Sequence, residues 1–324
     1  MELKADKFSF PIVVVMGPTA SGKSGVALNL AGRIPSEIVS VDSMQCYKMM
    51  DIGTAKPTHE DMLKIPHHLI NVFDIGNRVD VYSYVELMKQ AVKDIAAKGK
   101  VAIVVGGTGL YIKAFLYGLD TLPSDEGLRK SLYDDYEHNV EKLKRDLCVI
   151  DPAAASLFSE KPRKMIRALE VYKLTGKSIL EQNQSWSGHV KYSVLSYKLK
   201  WERQELYRRI SERVEGMLKN GWIEETKSLE EMGFLSSPTA KQAIGYILIS
   251  KYLEGSISYE EMWMRIIAST KKYARRQETW FNNQHPEASE VVMPQSEDII
   301  ANRIITDINS YPDNTESVCT NLLK

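Results

Sequence analysis

The chain has 324 residues, room for about two domains of ~150 residues, and its 44% apolar and 26% charged content excludes disorder and a coiled coil. No run approaches the ~20 apolar residues of a membrane-spanning helix. The opening Met1-Glu2-Leu3-Lys4-Ala5-Asp6-Lys7 lacks the apolar core of a signal peptide, so a cytoplasmic protein with no membrane partner is expected. The 42 basic and 42 acidic residues cancel, yet residues 287–324 hold seven acids against two bases, which leaves 40 bases and 35 acids in residues 1–286. That surplus, clustered at Lys161–Lys177 and Lys271–Arg276, permits an anionic partner without proving one.

In chain order, Phe10-Pro11-Ile12-Val13-Val14-Val15-Met16 is a continuous apolar run suited to a strand buried on both faces of a parallel sheet. A glycine-rich turn follows, then a helix over Ser24–Leu30 and a strand over Glu37–Val41. Next come an amphipathic helix over Tyr82–Lys98 closed by Gly99 and a third strand over Val101–Val105. Strands alternating with helices predict an α/β fold with a parallel sheet. After Leu122-Pro123-Ser124-Asp125 the pattern changes. Glu126–Gly176 is charged and largely helical, broken at Asp151-Pro152, and Ser178–His189 is a polar loop, so a helical insertion is expected. Tyr192–Leu199 alternates well enough to return the chain to the sheet as a further strand; long helices dominate from Arg203, and Ser289–Lys324 is expected to be a weakly structured acidic tail. Cys46, Cys148 and Cys319 are too scattered for a disulfide framework or a metal knuckle and read as reduced thiols.

The sharpest motif is Gly17-Pro18-Thr19-Ala20-Ser21-Gly22-Lys23-Ser24, a complete phosphate loop directly after a strand and opening a helix. Backbone N–H groups and the helix N-terminus would surround a diphosphate, Lys23 would add a point charge, and the Ser24 hydroxyl could ligate Mg²⁺. ATP is the default guest of such loops, so nucleotide binding is the first expectation. Asp42 follows the second strand, at the sheet edge where ligands bind; it reads equally as a functional carboxylate and as a helix cap or water-mediated Mg²⁺ partner. Gly106-Gly107-Thr108-Gly109 after the third strand would let backbone approach a ligand closely, or simply make a tight turn. His67 and His68 have no third ligand at metal spacing and read as a partly packed loop. Arg163 and Arg167 share a helical face; Arg203, Arg208, Arg209 and Arg213 follow on the next helix, with Arg209 and Arg213 again on one face, and one of these four is expected at the leaving oxygen of a diphosphate. Lys271–Phe281 interleaves bases with aromatics; Tyr273, Trp280 and Phe281 are expected to pack inward while the bases face out.

Together these segments resemble the tRNA dimethylallyltransferases, also called tRNA isopentenyltransferases. The resemblance runs from about residue 10 to 282. It rests on Gly17–Ser24, Asp42–Tyr47, Met50–Pro57, Pro66–Leu69, Gly106–Tyr111, Arg167–Glu170, Gln242–Tyr246 and Tyr273–Phe281 in that order. It implies a P-loop NTPase-like, nucleoside-kinase-like core over 8–120 and 191–288, with a helical lid and tRNA-binding insertion over 121–190 and an acidic tail over 289–324. It further implies that the loop holds dimethylallyl diphosphate, with no ATP consumed. The acceptor implied is the flipped-out adenosine 3′-adjacent to the anticodon, in tRNAs reading codons that begin with U. In that scheme Asp42 takes the proton of the exocyclic amine, while Mg²⁺, Lys23, Ser24 and an arginine, with Arg213 favoured, stabilise the departing diphosphate. Thr108 would line the channel beside the base. Ser43, Met44, Gln45, the Arg163–Lys164–Arg167 face and Lys241, Gln242, Ala243, Ile244, Gly245 and Tyr246 match segments that contact tRNA in the family. Two positions depart from the pattern: Asn282 and Lys164 stand where arginine is common, each weakening a phosphate contact. The zinc finger of eukaryotic members is absent, so the chain resembles a bacterial-type enzyme, and a monomer is expected. An ATP-dependent small-molecule kinase would share the loop, the core and Asp42, but would leave Gln242–Tyr246 and the basic carboxyl-terminal helix without a task.

Overall fold

Ile12-Val13-Val14-Val15-Met16 offers water no polar face, and as β1 (Ile12–Met16) it is buried from end to end inside a six-stranded parallel sheet. The computed structural model describes residues 10–119, 122–136, 139–182, 190 and 192–311. After β1 come α1 (Lys23–Ala31), β2 (Ser36–Val41), α2 (His59–Lys64), β3 (His67–His68), α3 (Val81–Ala97), β4 (Val101–Gly106) and α4 (Gly109–Tyr117). A run of helices follows: α5 (Glu126–Tyr136), α6 (Val140–Ile150), α7 (Pro152–Leu157), α8 (Pro162–Thr175) and α9 (Ile179–Gln182). The chain then adds β5 (Val194–Lys200), α10 (Arg203–Lys219), α11 (Trp222–Glu231), α12 (Tyr246–Leu253), α13 (Tyr259–Gln284), β6 (Ser289–Val292) and α14 (Glu297–Asn309). No helix among the described residues is long and apolar enough to cross a membrane.

The strand order is β3-β2-β4-β1-β5-β6, and every pairing is parallel. Strands β2, β4 and β1 are therefore neighbours, and the loops leaving their carboxyl ends lie side by side, the edge where ligands bind in such sheets. Local chemistry sets the helix ends. Asp80 and Ser258 cap α3 and α13 through their side chains. Pro162 opens α8, and Gly176 closes it in the left-handed conformation. The Asp151-Pro152 break ends α6 and starts α7, with Asp151 accepting from the Ala154 N–H.

The chain divides into two compact units, Met1–Leu116 with Val190–Lys324, and Tyr117–His189. The smaller has its own core, built from Leu132, Leu143, Leu147, Met165, Leu169 and neighbours. Within it Glu170 is fully buried and holds Arg129 and Arg167 at 3.0 and 2.8 Å. In the larger unit Glu37 is the one acid buried within the strands among the described residues. Lys98, Lys100 and His68 surround it at 2.8–3.0 Å. Burial alone would raise its pKa, but bonds from Lys100, His68 and Lys98 outweigh it and hold the carboxyl near 2.

Three expectations are corrected here. Residues 289–311 are not a weakly structured tail: β6 pairs with β5, and Ile300, Ala301, Ile304 and Ile308 of α14 are buried against Val26, Ala27 and Leu30 of α1. The acids of this segment are mostly outward-facing, so its charge concealed an apolar stripe with helical spacing. Residues 312–324, with Cys319, lie outside the described residues, as do most of the Ser178–His189 loop; Ile179–Gln182 of that loop is helical. His67 and His68 are a short edge strand rather than a loop. The ring of His68 faces Glu37 and that of His67 faces the Ile65 carbonyl.

Candidate active site

The phosphate loop owes its shape to two left-handed residues, Ala20 at φ 63° and Gly22 at φ 88°. Alternating backbone handedness turns N–H groups inward as a nest for an anion. The alanine conformation is disfavoured on its own. Arg209 secures it, its Nε donating to the Ala20 carbonyl at 2.9 Å while the guanidinium stacks 4.4 Å from the Trp201 ring. Trp201 in turn donates from Nε1 to the Ser21 carbonyl at 2.9 Å. Gly22 leaves the N-terminus of α1 without a side-chain cap, so its N–H groups stay available. The buried Ser21 hydroxyl has no partner among the described residues.

The loop opens onto a cavity of about 430 Å³ lined by Thr19, Lys23, Ser24, Asp42 and Arg213 and, on its apolar side, by Val105, Ile210, Val214 and Met217. Its electrostatics are those of an anion site beside a carboxylate. Burial, then the Arg213 charge, lower Lys23 to about 8 against the opposing pull of Asp42. Its Nζ donates to the Pro18 carbonyl at 3.2 Å. Burial also pulls the Arg213 guanidinium down from the usual arginine range, opposed by Asp42 and reinforced by Arg209. Arg213 Nη1 lies 3.5 Å from Thr19 Oγ1. Asp42 answers to both of its sequence readings. Its Oδ1 accepts from the Met44 and Gln45 N–H groups at 2.8 and 3.3 Å, shaping the turn, while the residue lines the cavity.

The remaining expected site residues separate into two groups. Ser43, Met44, Gln45, Gln242, Ala243 and Ile244 line the same cavity. Gly17 and Pro18 do not; they hold the loop's shape, Pro18 by accepting from the Ser21 N–H. Thr108 is not among the lining residues either, and its Oγ1 accepts from the Ser43 N–H at 3.2 Å. Lys241 is exposed outside the cavity, whereas Gly245 packs under the Trp222 ring and Tyr246 is fully buried with its hydroxyl on Glu225 at 2.7 Å. Tyr246 is therefore core and has no surface for RNA. In the smaller unit Arg163 and Lys164 are exposed, while the half-buried Arg167 donates to the Pro123 and Leu122 carbonyls and to Glu170 and so also braces the unit.

Several members of the site carry no motif in the sequence. Gln277, buried on α13, accepts from the Thr19 N–H at 2.8 Å and donates to the Gly107 carbonyl at 2.8 Å, tying the phosphate loop to the loop after β4. A Cβ on Gly107 would collide with that amide, and one on Gly109 with the Trp280 ring. Gly107 and Gly109 thus admit helix α13, while Gly106 lines the cavity. Tyr273, expected to pack inward, lines the cavity with Arg276; burial, then Asp42, raise its hydroxyl above the usual tyrosine range. Glu225 gathers the Asp51, Ile52 and Gly53 N–H groups at 2.8, 2.6 and 3.1 Å, fixing the Gly53–Pro57 wall of the cavity. The glutamine within the Lys271–Phe281 segment was visible but overshadowed by its charged neighbours. Glu225 sits in an ordinary acidic helix and gave no signal.

The IPP transferase family profile matches residues 45–284. A tRNA dimethylallyltransferase from Citrifermentans bemidjiense is 42% identical over 276 residues, covering 85% of this chain and 90% of that one. The crystal structure of a tRNA isopentenylpyrophosphate transferase from Bacillus halodurans superposes with a TM-score of 0.68 at 35% identity, covering 92% of this chain and 96% of the other. A eukaryotic dimethylallyltransferase, described as acting on tRNA, gives a TM-score of 0.73 at 26% identity over 87% of this chain and 74% of its own.

Proposed function

We propose a reaction scheme from one premise: the chain belongs to the IPP transferase family, the tRNA dimethylallyltransferases, and transfers a dimethylallyl group to tRNA. The donor in this scheme is dimethylallyl diphosphate and the acceptor is the exocyclic amine of the adenosine 3′-adjacent to the anticodon, in tRNAs reading codons that begin with U. The observation that carries it is the joining of an anion nest, a carboxylate and an apolar wall in one cavity.

The loop N–H groups, Lys23 and Arg213 bind the diphosphate, and the side of the cavity formed by Ile210, Val214 and Met217 takes the five-carbon chain. The amine nitrogen attacks the allylic carbon. The carbon–oxygen bond to the diphosphate breaks, and the departing charge falls on Lys23, Arg213 and the loop amides. Asp42 accepts the proton that the amine sheds. Because an adenine amine is a weak nucleophile, fixing it in line with the leaving group matters more than basicity, a task suited to Ser43–Gln45 and Gln242–Ile244 around the same cavity.

The donor set fits Mg²⁺. Ser24 and Asp42 line the cavity together, and no cluster of three or more His, Cys, Asp or Glu side chains that could hold a metal occurs among the described residues. A sparse set of this kind suits an ion that takes most of its ligands from phosphate and water. Ser24 would hold it beside the diphosphate, where it supplies further neutralisation of the leaving group. The scheme takes the enzyme as a monomer, and a tRNA acceptor suits a cytoplasmic enzyme.

The test is Asp42→Asn with labelled dimethylallyl diphosphate and unmodified tRNA whose anticodon is followed by two adenosines. Turnover is expected to fall by about 10²-fold or more with tRNA binding retained; full turnover would remove Asp42 as the base.

A further inference from the structure

Asp42 is the first residue beyond β2, so the direction of its carboxylate is set by the backbone on either side of it. Oδ1 is committed to the turn, accepting from the Met44 and Gln45 N–H groups. Oδ2 makes no hydrogen bond among the described residues and is the oxygen left for the incoming amine. A base must come within about 2.6–3.2 Å of the proton's donor atom, so the placing of this one oxygen matters.

The peptide group between Asp42 and Ser43 is pinned at both ends. Its N–H donates to Thr108 Oγ1 at 3.2 Å, from the loop after β4. Its carbonyl, that of Asp42, accepts from the Tyr84 hydroxyl at 3.3 Å. The same hydroxyl lies 3.0 Å from the Ser40 carbonyl, two residues back along β2, and so shares its proton between two carbonyls that project from one side of the strand. Tyr84 is itself firmly held. It sits at the start of α3, with its N–H on the carbonyl of the capping Asp80 at 3.2 Å. Its side chain is fully buried, and its ring lies 4.6 Å from that of Tyr111 on α4. Burial, then Cys46 and Asp42, raise its pKa well above the usual tyrosine range, so the hydroxyl stays a proton donor. Tyr84 does not line the cavity; its hydroxyl meets the site only through the backbone of Asp42.

We infer that Tyr84 is a positioning residue for the prenyl transfer: its hydroxyl fixes the Asp42–Ser43 peptide and thereby aims Asp42 Oδ2 at the exocyclic amine. The inference rests on the reading of Asp42 as the base and extends it to a helix outside the cavity. Tyr84 bears on the proton-accepting step and leaves the phosphate loop as it is, since its hydroxyl bonds only to the Ser40 and Asp42 carbonyls.

The experiment measures Tyr84→Phe, which removes the hydroxyl and keeps the ring, alone and combined with Asp42→Asn. Single-turnover transfer is followed at saturating tRNA and labelled dimethylallyl diphosphate. Rates are expressed per site titrated with the labelled donor, so that a partly folded preparation does not register as a slower enzyme. Tyr84→Phe is expected to slow transfer by about 10-fold, short of the ~10²-fold cost of a ~1 Å misplacement, with donor KM and tRNA Kd as in the wild type. Added to Asp42→Asn, the phenylalanine should cost nothing further, because two residues that act through one group are not additive. Wild-type transfer by Tyr84→Phe would overturn the inference, as would a loss confined to donor KM or tRNA Kd. So would the same ~10-fold loss persisting beside Asp42→Asn, which would make the hydroxyl a general brace of the strand. Full-rate transfer by Asp42→Asn alone is a separate result: the base assignment itself would fail, and the inference with it.

Discussion

Gln277 is the residue whose replacement tests the site's construction most directly. Its amide bridges the Thr19 N–H and the Gly107 carbonyl at 2.8 Å on each side, and the residue is buried. Gln277→Ala orphans one donor and one acceptor, each costing about 1–3 kcal/mol. Because water from the adjoining cavity restores part of this, a stability loss of about 2–4 kcal/mol is expected. The freed phosphate loop should also lower kcat/KM for the prenyl donor by about 10- to 100-fold, the scale of a small misplacement of binding groups. Gln277→Glu is more informative. A carboxylate can accept from Thr19 but sets a second acceptor against the Gly107 carbonyl, whereas a protonated carboxyl donates there as the amide did. The folded state therefore favours the protonated form of that variant, whose pKa rises on folding. Its deficit should be largest near neutral pH and shrink as pH falls through that raised value. Urea unfolding at several pH values, with donor kinetics alongside, reads both effects. A Gln277→Glu protein with wild-type stability and donor KM at neutral pH would refute the bridge.

Three other expectations use the same measurements. Glu225→Gln keeps one acceptor oxygen where the carboxylate serves three backbone amides and the Tyr246 hydroxyl; about 2–3 kcal/mol of stability should go, with KM raised for both substrates, and an unaltered unfolding midpoint would contradict this. Lys23 sits at about 8 in the free protein, so kcat/KM for the donor should decline above that pH as the ammonium is lost. Lys23→Arg should remove that break, and a wild-type profile still flat one to two pH units higher, at about pH 9–10, would count against the assignment. Glu37 is lowered from 4.5 to about 2, so its contribution is complete above the unfolded value and lost as pH falls toward the folded one. That amounts to about 3 kcal/mol in full, of which about 1 kcal/mol is lost by roughly pH 3.5. Glu37→Gln should lack this part of the acid sensitivity, and parallel stability curves for the two proteins would rule it out.

Much of the fold was legible because its signals are local. A valine run such as Val13-Val14-Val15 can satisfy itself only inside a parallel sheet, and the glycines and lysine of Gly17–Ser24 announce a phosphate site by spacing alone. Asp42 was legible as a position, at the end of β2, though its double service to turn and cavity depends on how the Met44 and Gln45 N–H groups fold back on it. What escaped were features that depend on distant partners. Nothing near Gly107 says that a glutamine 170 residues later will press against it, and nothing near Gly53 foretells Glu225. Tyr246 misleads in the opposite sense, since a motif match marks a residue equally well as a ligand contact and as part of the core. Helix α14 was missed for a simpler reason: its net charge drew attention from Ile300, Ile304 and Ile308, whose spacing of four is a helical face.

The placement of α14 bears on how the molecule is made. Asn29 on α1 and Asp298 on α14 are joined at 2.9 Å, yet 269 positions separate them. On a ribosome delivering residues in order, α1 emerges early with Val26, Ala27 and Leu30 uncovered and waits for Ile300, Ala301 and Ile304 through nearly the whole of translation. The unit Tyr117–His189 emerges meanwhile with an apolar cluster of its own and can condense unaided. The nascent larger unit is thus the vulnerable species. An open sheet edge at β5 and a bare helix face persist until the β6–α14 segment arrives, and a stall just before that segment would leave a chain with intact catalytic loops and a strong tendency to aggregate.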